Sequence, residues 1–294
     1  MTGIKSMTGY GKAEKIIENK RIVIEIRSLN SKQMDINFRS PQVYRILEFD
    51  LRKLVSLMAT RGKFDIILTQ EMLGGETAAV FNDVVFKSYF HSISKAAAEV
   101  GLDIDKQEFV SAILRLPEVM ITDSEELSET EIKAVLDCCS GALESLNTFR
   151  VKEGNILIAD ILSHISNIEN KLMLIEPFEK ERIEKVRISI ESDLNKLELT
   201  MGIDKNRFEQ ELIYYLEKMD ITEEKVRLAQ HCSFFRQTAE HEDMPGRKLG
   251  FIAQETGREI NTIGSKAGDV NIQKLVVEMK DELEKIKEQL LNIL

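Results

Sequence analysis

The spacing of hydrophobic residues changes along this chain of 294 residues, and the change divides it. Near the start, Ile22, Ile24 and Ile26 alternate with Val23, Glu25 and Arg27, and Met34, Ile36 and Phe38 alternate with Asp35, Asn37 and Arg39. A period of two is that of a strand. The polar segment SLNSK (28–32) suits a turn or loop between the two runs. Pro41 then introduces a helix on which Val43, Ile46, Leu47, Leu51, Leu54, Val55 and Met58 recur at helical spacing. Arg61-Gly62-Lys63 ends that helix and opens another strand over 64–70, and 4–17 reads as a first strand. The pattern predicts a small sheet packed on a helix.

MLGGETAAV (72–80) reads as a linker, and from Asn82 the period becomes helical. One helix covers 84–100, ILRLPEV (113–119) carries a proline-marked break, and 122–130 is acidic and rich in Ser and Thr, as loops and helix starts are. Leu157, Ile161, Ile165, Ile168, Leu172 and Ile175 form a coiled-coil-like seam that ends at Pro177. Further helices are expected over 178–199, 207–219 and 223–239, with Asp220 to Glu223 resembling a capping box. Ile272, Val276, Met279, Leu283, Ile286, Leu290 and Ile293 repeat every three or four residues, which predicts helix pairing within or between subunits. The expected class is α+β: a small N-terminal sheet-plus-helix domain (1–75), a helical middle segment (76–150) and a mainly helical, coiled-coil-like C-terminal region (151–294).

Composition narrows the functional classes. No apolar run is long enough to span a membrane, and the first residues lack the apolar core of a signal peptide. Three cysteines, Cys138, Cys139 and Cys232, form no CxxC and no disulfide framework, which fits a reducing cytoplasm. The net charge of −10 argues against nucleic acid until its distribution is read: residues 1–75 carry a net +5 and the remainder −15. That asymmetry permits a basic RNA-facing surface on an acidic protein.

No Walker A loop, dinucleotide fingerprint, HExxH or GxSxG motif is present. Gly9 and Gly11 in SMTGYG fit relief of crowding in a strand or turn better than a phosphate loop. The densest chemistry lies in GRKLGFIAQETGREINTIGSK (246–266), where Glu255 and Glu259 share one helix face among basic and amide side chains. Glu224, Arg227 and His231 form a stripe on the preceding helix, and Pro245-Gly246 lets the two helices fold into an antiparallel hairpin in which His231 approaches Glu255 or Glu259. Carboxylate and imidazole donors suit Mn2+ or Mg2+. The same stripe also fits ordinary surface ion pairs.

Several segments together resemble the YicC family of endoribonucleases, including its YloC branch: SMTGYG (6–11), IRSLNSK (26–32), MDINFRSP (34–41), TRGK (60–63), LRLPEV (114–119), an REG-like element at Arg150, Glu153 and Gly154 followed by Asp160, DITEEKVRLAQH (220–231) and GRKLGFIAQETGREINTIGSKA (246–267). They stand in family order and span nearly the whole chain. The resemblance implies an RNA endonuclease that uses a divalent metal, working as a clamp-like homo-oligomer, a hexamer, that encloses RNA. Mapped onto this chain, the acidic and imidazole positions are Glu224, His231, Glu255 and Glu259. The basic and amide positions are Arg27, Asn30, Arg39, Arg61, Lys63, Arg247, Lys248, Arg258, Asn261 and Lys266. Relatives commonly carry Asp after GRKL and Asn before the RE pair, where this chain has Gly250 and Gly257; Ser31-Lys32 stands where His-Arg is usual.

These residues fit hydrolysis of an internal RNA phosphodiester, with His231, Glu255 and Glu259 catalytic and Glu224, His231, Glu255 and Glu259 as metal ligands. A metal-independent variant would use His231 as general base on the ribose 2′-OH. The alternative from another class is a non-catalytic RNA-binding or scaffold oligomer. Low aromatic content, 6% with no Trp, argues against an extensive base-stacking platform.

Overall fold

The computed structural model describes residues 4–59, 61–73, 79–101, 106–122, 127–198 and 205–294. Strands β1 (Gly9–Ile17), β2 (Lys20–Leu29), β3 (Met34–Arg39) and β4 (Gly62–Met72) form one sheet in the order β1-β2-β4-β3. β1 and β4 run antiparallel to β2, and β3 runs parallel to β4. A 3-10 turn (Gln42–Leu47) and helix α1 (Glu48–Met58) make the crossover that this parallel pair requires. The alternation read from the sequence sets the faces. Ile22, Ile24, Ile26, Phe64, Ile66 and Leu68 point to the core, and Arg27, Arg39 and Lys63 point away from it.

Next come β5 (Ala79–Phe81), α2 (Asp83–Glu99), α3 (Lys106–Ile113) and β6 (Met120–Thr122), with β5 and β6 paired antiparallel around a small core of Phe109, Ile113 and Val119. Helix α4 (Glu129–Met173) is 45 residues long and starts at Ser128, whose hydroxyl accepts from the Glu131 amide at 3.2 Å. Its first half covers the sheet through Val135, Cys138, Cys139, Ala142, Leu143 and Leu146. Its second half, from Leu157, joins the bundle. Position 150 therefore falls inside one continuous helix that is shared by two cores.

Helices α5 (Ile175–Glu198), α6 (Lys205–Met219), α7 (Thr222–His241), α8 (Gly246–Ala267) and α9 (Val270–Leu290) complete the chain. Both predicted seams are buried at their centres: Ile161, Ile165 and Ile168 of α4 pack in the same core as Ile272, Val276, Met279, Leu283, Ile286 and Leu290 of α9.

Local readings change in several places: the helix expected from Pro41 opens as a 3-10 turn carrying Val43, Ile46 and Leu47, and the expected linker gives Met72 to β4 and Ala79 and Val80 to β5. The first strand begins at Gly9 rather than at residue 4, because residues 5–7 are tied to the last residues of the chain: Met7 N donates to Asn292 O at 2.8 Å and Leu294 N to Lys5 O at 3.0 Å. Ser28 and Leu29 belong to β2, so the loop starts at Asn30. Pro177 stands in the first turn of α5, where its missing N–H costs no helical hydrogen bond. No capping box forms at α7: Asp220 Oδ1 accepts from the backbone and hydroxyl of Thr222 instead. Residues 74–78 of the expected linker and 123–126 of the acidic loop lie outside the described residues.

The glycines of SMTGYG allow close packing, as expected. A Cβ on Gly11 would collide with the Ala142 carbonyl and the Leu146 amide of α4, and one on Gly9 would meet the Arg150 and Leu146 side chains. Opposite them, Arg150 is 1% exposed and its Nε donates to Ser6 O at 2.6 Å. Burial lowers the Arg150 pKa to about 10. Thr8 Oγ1 donates to Glu153 Oε2 at 2.8 Å, and Gly154 leaves no room for a side chain beside Ile4 O. SMTGYG and the REG-like element are thus two halves of one packing joint.

Candidate active site and nucleic-acid interface

Helices α7 and α8 form the expected antiparallel hairpin, and two contacts bracket its polar side. Lys266 Nζ of α8 donates to Glu224 Oε1 of α7 at 2.7 Å. Lys248 Nζ of α8 sits 4.8 Å from the centroid of the Phe234 ring of α7. Glu224, Arg227, His231 and Phe234 recur at helical spacing and make one stripe, and Lys248, Ile252, Glu255, Glu259, Thr262 and Lys266 make another. The stripes touch at both ends, so His231 and Arg227 stand on the α7 stripe that faces Glu255 and Glu259.

Polar satisfaction is uneven along these stripes. Glu259 is 5% exposed and has no hydrogen bond or ion pair among the described residues. Glu224 spends Oε1 on Lys266, and its buried Oε2 has no partner. Leaving a buried acceptor unsatisfied costs about 1–3 kcal/mol, more for a charged group. Glu255 accepts from Arg258 at 3.3 Å. His231 is half-buried and makes no hydrogen bond among the described residues.

Four carboxylate and imidazole groups therefore share one side of the hairpin without binding one another. Among the described residues, however, no three His, Cys, Asp or Glu side chains are placed to hold a single metal ion.

The basic and amide positions separate into four groups. Arg247, Arg258 and Asn261 are exposed on α8. Lys248 and Lys266 turn back to the hairpin, Lys248 also pairing with Glu242. Arg27, Arg39 and Lys63 stand on the outer face of the sheet, where Arg27 lies 5.9 Å from the Tyr10 ring centroid and 3.8 Å from Glu25. Asn30 and Arg61 hold the end of the chain: Asn30 Nδ2 donates to Leu291 O at 2.7 Å and Arg61 Nη2 to Ile293 O at 3.3 Å. Burial and the nearby Arg247 charge both lower the Arg61 pKa, in keeping with the start of β4 lying beside the start of α8.

Reading single residues missed Phe251 and Gln254, which share the exposed side of α8 with Arg247, Arg258 and Asn261. The helical period itself was the available signal: 247, 251, 254, 258, 261 and 265 are spaced 4, 3, 4, 3 and 4 apart. Cys138, Cys139 and Cys232 are buried free thiols, and burial pushes Cys139 and Cys232 up to about 12. Unreactive packing is their role. No helix among the described residues is long and apolar enough to cross a membrane.

Fold and site define an α+β protein whose helical hairpin combines carboxylates left partly or wholly unpaired with an outward cationic face. Residues 4–159 match the family model for the endoribonuclease YicC-like N-terminal region, and residues 175–294 match that for the endoribonuclease YicC-like C-terminal domain. Over 290 residues the chain is 34% identical to a protein of Clostridioides difficile (strain 630) named "Probable endoribonuclease YicC", covering 98% of this chain and 99% of that one. Over 303 residues it is 28% identical to a Haemophilus influenzae protein of the same name, with 99% of each chain covered. The chain belongs to the YicC-like family.

Proposed function

We propose that this protein is an endoribonuclease that cleaves internal phosphodiester bonds of RNA, with the polar side of the α7–α8 hairpin as its active face. One observation carries the reading: the Oε2 of Glu224 is buried without a partner, and Glu259, a residue only 5% exposed, makes no hydrogen bond or ion pair among the described residues, beside an arginine-bearing helix face. Folding alone would pair or expose such groups, and unpaired buried carboxylates are what a reacting site retains. The names of the Clostridioides difficile and Haemophilus influenzae relatives agree with this activity.

Arg247 and Arg258 would hold phosphates flanking the scissile one, and Glu255 would orient Arg258 through their 3.3 Å contact. Glu224, His231, Glu255 and Glu259 remain the donors for a divalent cation, Mn2+ or Mg2+, which would lower the pKa of a bound water and neutralise charge on the phosphoryl oxygens. Since one chain gathers no three of them, no step is assigned to the cation. A second reading is favoured by the free imidazole of His231: general-base removal of the ribose 2′-OH proton, leaving a 2′,3′-cyclic phosphate. Assembly into a homo-oligomer, a hexamer, accompanies the proposal, and mass photometry tests it.

The test pairs Glu255→Gln with Glu259→Gln in one variant. Cleavage of RNA should fall by at least about a hundredfold, the scale on which removing a charged catalytic group acts, while filter binding of the same RNA survives. Full cleavage by the double variant would sink the assignment. Product ends made in Mn2+, Mg2+ or EDTA separate the two chemistries. RNA binding by wild type without turnover would leave a scaffold role instead.

A further inference from the structure

On α8, Arg247, Phe251, Gln254, Arg258, Asn261 and Ser265 are all exposed and fall within about 80° of helical arc. No carboxylate lies on this stripe, although the whole chain carries −10. Glu255 and Glu259 lie to one side of it, toward α7. On the other side Gly250 has nothing within 4 Å of where a Cβ would be, whereas Gly257 packs against Leu283 of α9. Phe251 is 63% exposed. Arg247 stands about 6 Å before it along the helix and Arg258 about 10 Å after it, at 1.5 Å per residue. A large exposed aromatic between two arginines, with amides at the same pitch and open space alongside, suits a nucleotide strand: phosphates on the guanidinium groups and an unpaired base on the ring. A paired helix offers no free base face there, because its bases are stacked and its phosphates screen them.

We infer that the outer stripe of α8 holds single-stranded RNA and that Phe251 stacks on one of its bases, making Phe251 the residue through which unpaired RNA is preferred over duplex. This rests on the endoribonuclease reading for the hairpin and names the form of RNA it takes. Charge complementarity chooses the occupant: the stripe itself carries two arginines and no carboxylate, with Arg258 steadied from its flank by Glu255 at 3.3 Å and Arg247 without an acidic partner among the described residues, which fits a polyanion.

The test measures affinity, so it does not depend on turnover. A fluorescent single-stranded 12-mer and a duplex of the same length are titrated against wild type, Phe251→Ala, Phe251→Tyr and the pair Arg247→Ala with Arg258→Ala, over a range of salt. Phe251→Ala should weaken single-strand binding about tenfold and leave duplex binding unchanged, with the salt slope unaltered, since stacking releases no counterions. Phe251→Tyr should restore affinity. The double arginine variant should lower the single-strand salt slope by about 1.4, or about 0.7 per lost phosphate contact. Circular dichroism checks folding, and Phe251→Leu, which keeps the bulk and loses the ring face, should behave as Phe251→Ala does. Wild type that binds and cleaves RNA with Phe251→Ala at unchanged affinity overturns the stacking role alone. Unchanged affinity with an altered oligomer mass assigns the face to contact between copies and also overturns it. Wild type that binds no RNA overturns both this inference and the endoribonuclease reading.

Discussion

The segments 6–11 and 246–266 both carry glycines among polar residues, and the protein uses them in opposite ways. In the first, the glycines and polar groups are consumed by packing: Gly11 lies against the backbone of α4, Thr8 is bonded to Glu153, and Arg150 caps the Ser6 carbonyl. In the second, Gly264 and Gly257 press toward Val276 and Leu283 of α9, but Gly250 faces open space, Arg247 and Asn261 have no polar contact among the described residues, and Glu259 is buried unpaired. One is a joint and the other is a site. The sequence already set them apart, the first as relief of crowding and the second as the densest chemistry, and the structure supplies the reason. The deciding quantity is whether each polar group is satisfied inside the chain.

The largest effect should come from forcing the joint open. Gly11→Ala places a methyl group on the Ala142 carbonyl and the Leu146 amide, which are helical backbone and cannot turn aside as a side chain can. The expected loss is about 3 kcal/mol, at the upper end for overpacking. Urea denaturation monitored by circular dichroism measures it. A loss below about 0.5 kcal/mol, the range of ordinary surface substitutions, would mean that β1 does not seat on α4 as described.

Most of the fold was legible. Strand alternation at 22–26 and 34–38 and the seams at 157–175 and 272–293 each reflect a face that must be buried, so period and burial agree. Pro177 misled because proline ends a helix and also begins one. The span of α4 across position 150 was hidden, since its apolar stripe changes partner from sheet to bundle without a break in the helix. At the site, spacing placed Glu255 and Glu259 together and paired the two helices. It could not show that Lys248 and Lys266 turn inward, nor that Asn30 and Arg61 are spent on carbonyls more than 200 residues away in sequence. Basic residues counted along a chain are only candidates, because their partners come from distant elements.

A smaller effect tests whether the bundle that carries α8 is held by charge as well as by its apolar seam. His164 Nδ1 lies 2.6 Å from Glu282 Oε2, and Asn167 Nδ2 donates to the same oxygen at 3.0 Å, tying α4 to α9. Burial raises the Glu282 pKa, but the Asn167 and His164 hydrogen bonds together with the Lys285 and His164 charges outweigh it and hold the value below the ordinary 4.5. A carboxylate depressed on folding adds stability above its unfolded pKa, and that stability is lost as pH falls through the folded value. Glu282→Gln should therefore cost about 1–2 kcal/mol at pH 7, the worth of hydrogen bonds to a charged group. The difference from wild type should shrink below about pH 4, where an ordinary glutamate protonates. Urea midpoints from pH 7 to 3 check it; a gap that stays constant to pH 3 would show that the carboxylate's charge is not what counts.

The smallest effect has the opposite sign and sharpens the contrast between the two segments. Gly250 sits inside α8 with helical neighbours on both sides and open space where a Cβ would go. Gly250→Ala removes the entropy cost of a helical glycine and meets no atom, so it should stabilise the protein by about 0.5–1 kcal/mol. The same substitution thus destabilises at position 11 and stabilises at position 250, although both glycines belong to motifs of one family. The pair can be read from two denaturation curves against wild type. Gly250→Ala should also leave single-stranded RNA affinity within about twofold, because a methyl group adds no charge beside Phe251, whereas Gly250→Asp would set a carboxylate next to the ring and weaken binding by repelling the phosphates. Equal affinity for Gly250→Asp and wild type would indicate that the strand does not pass along this side of α8.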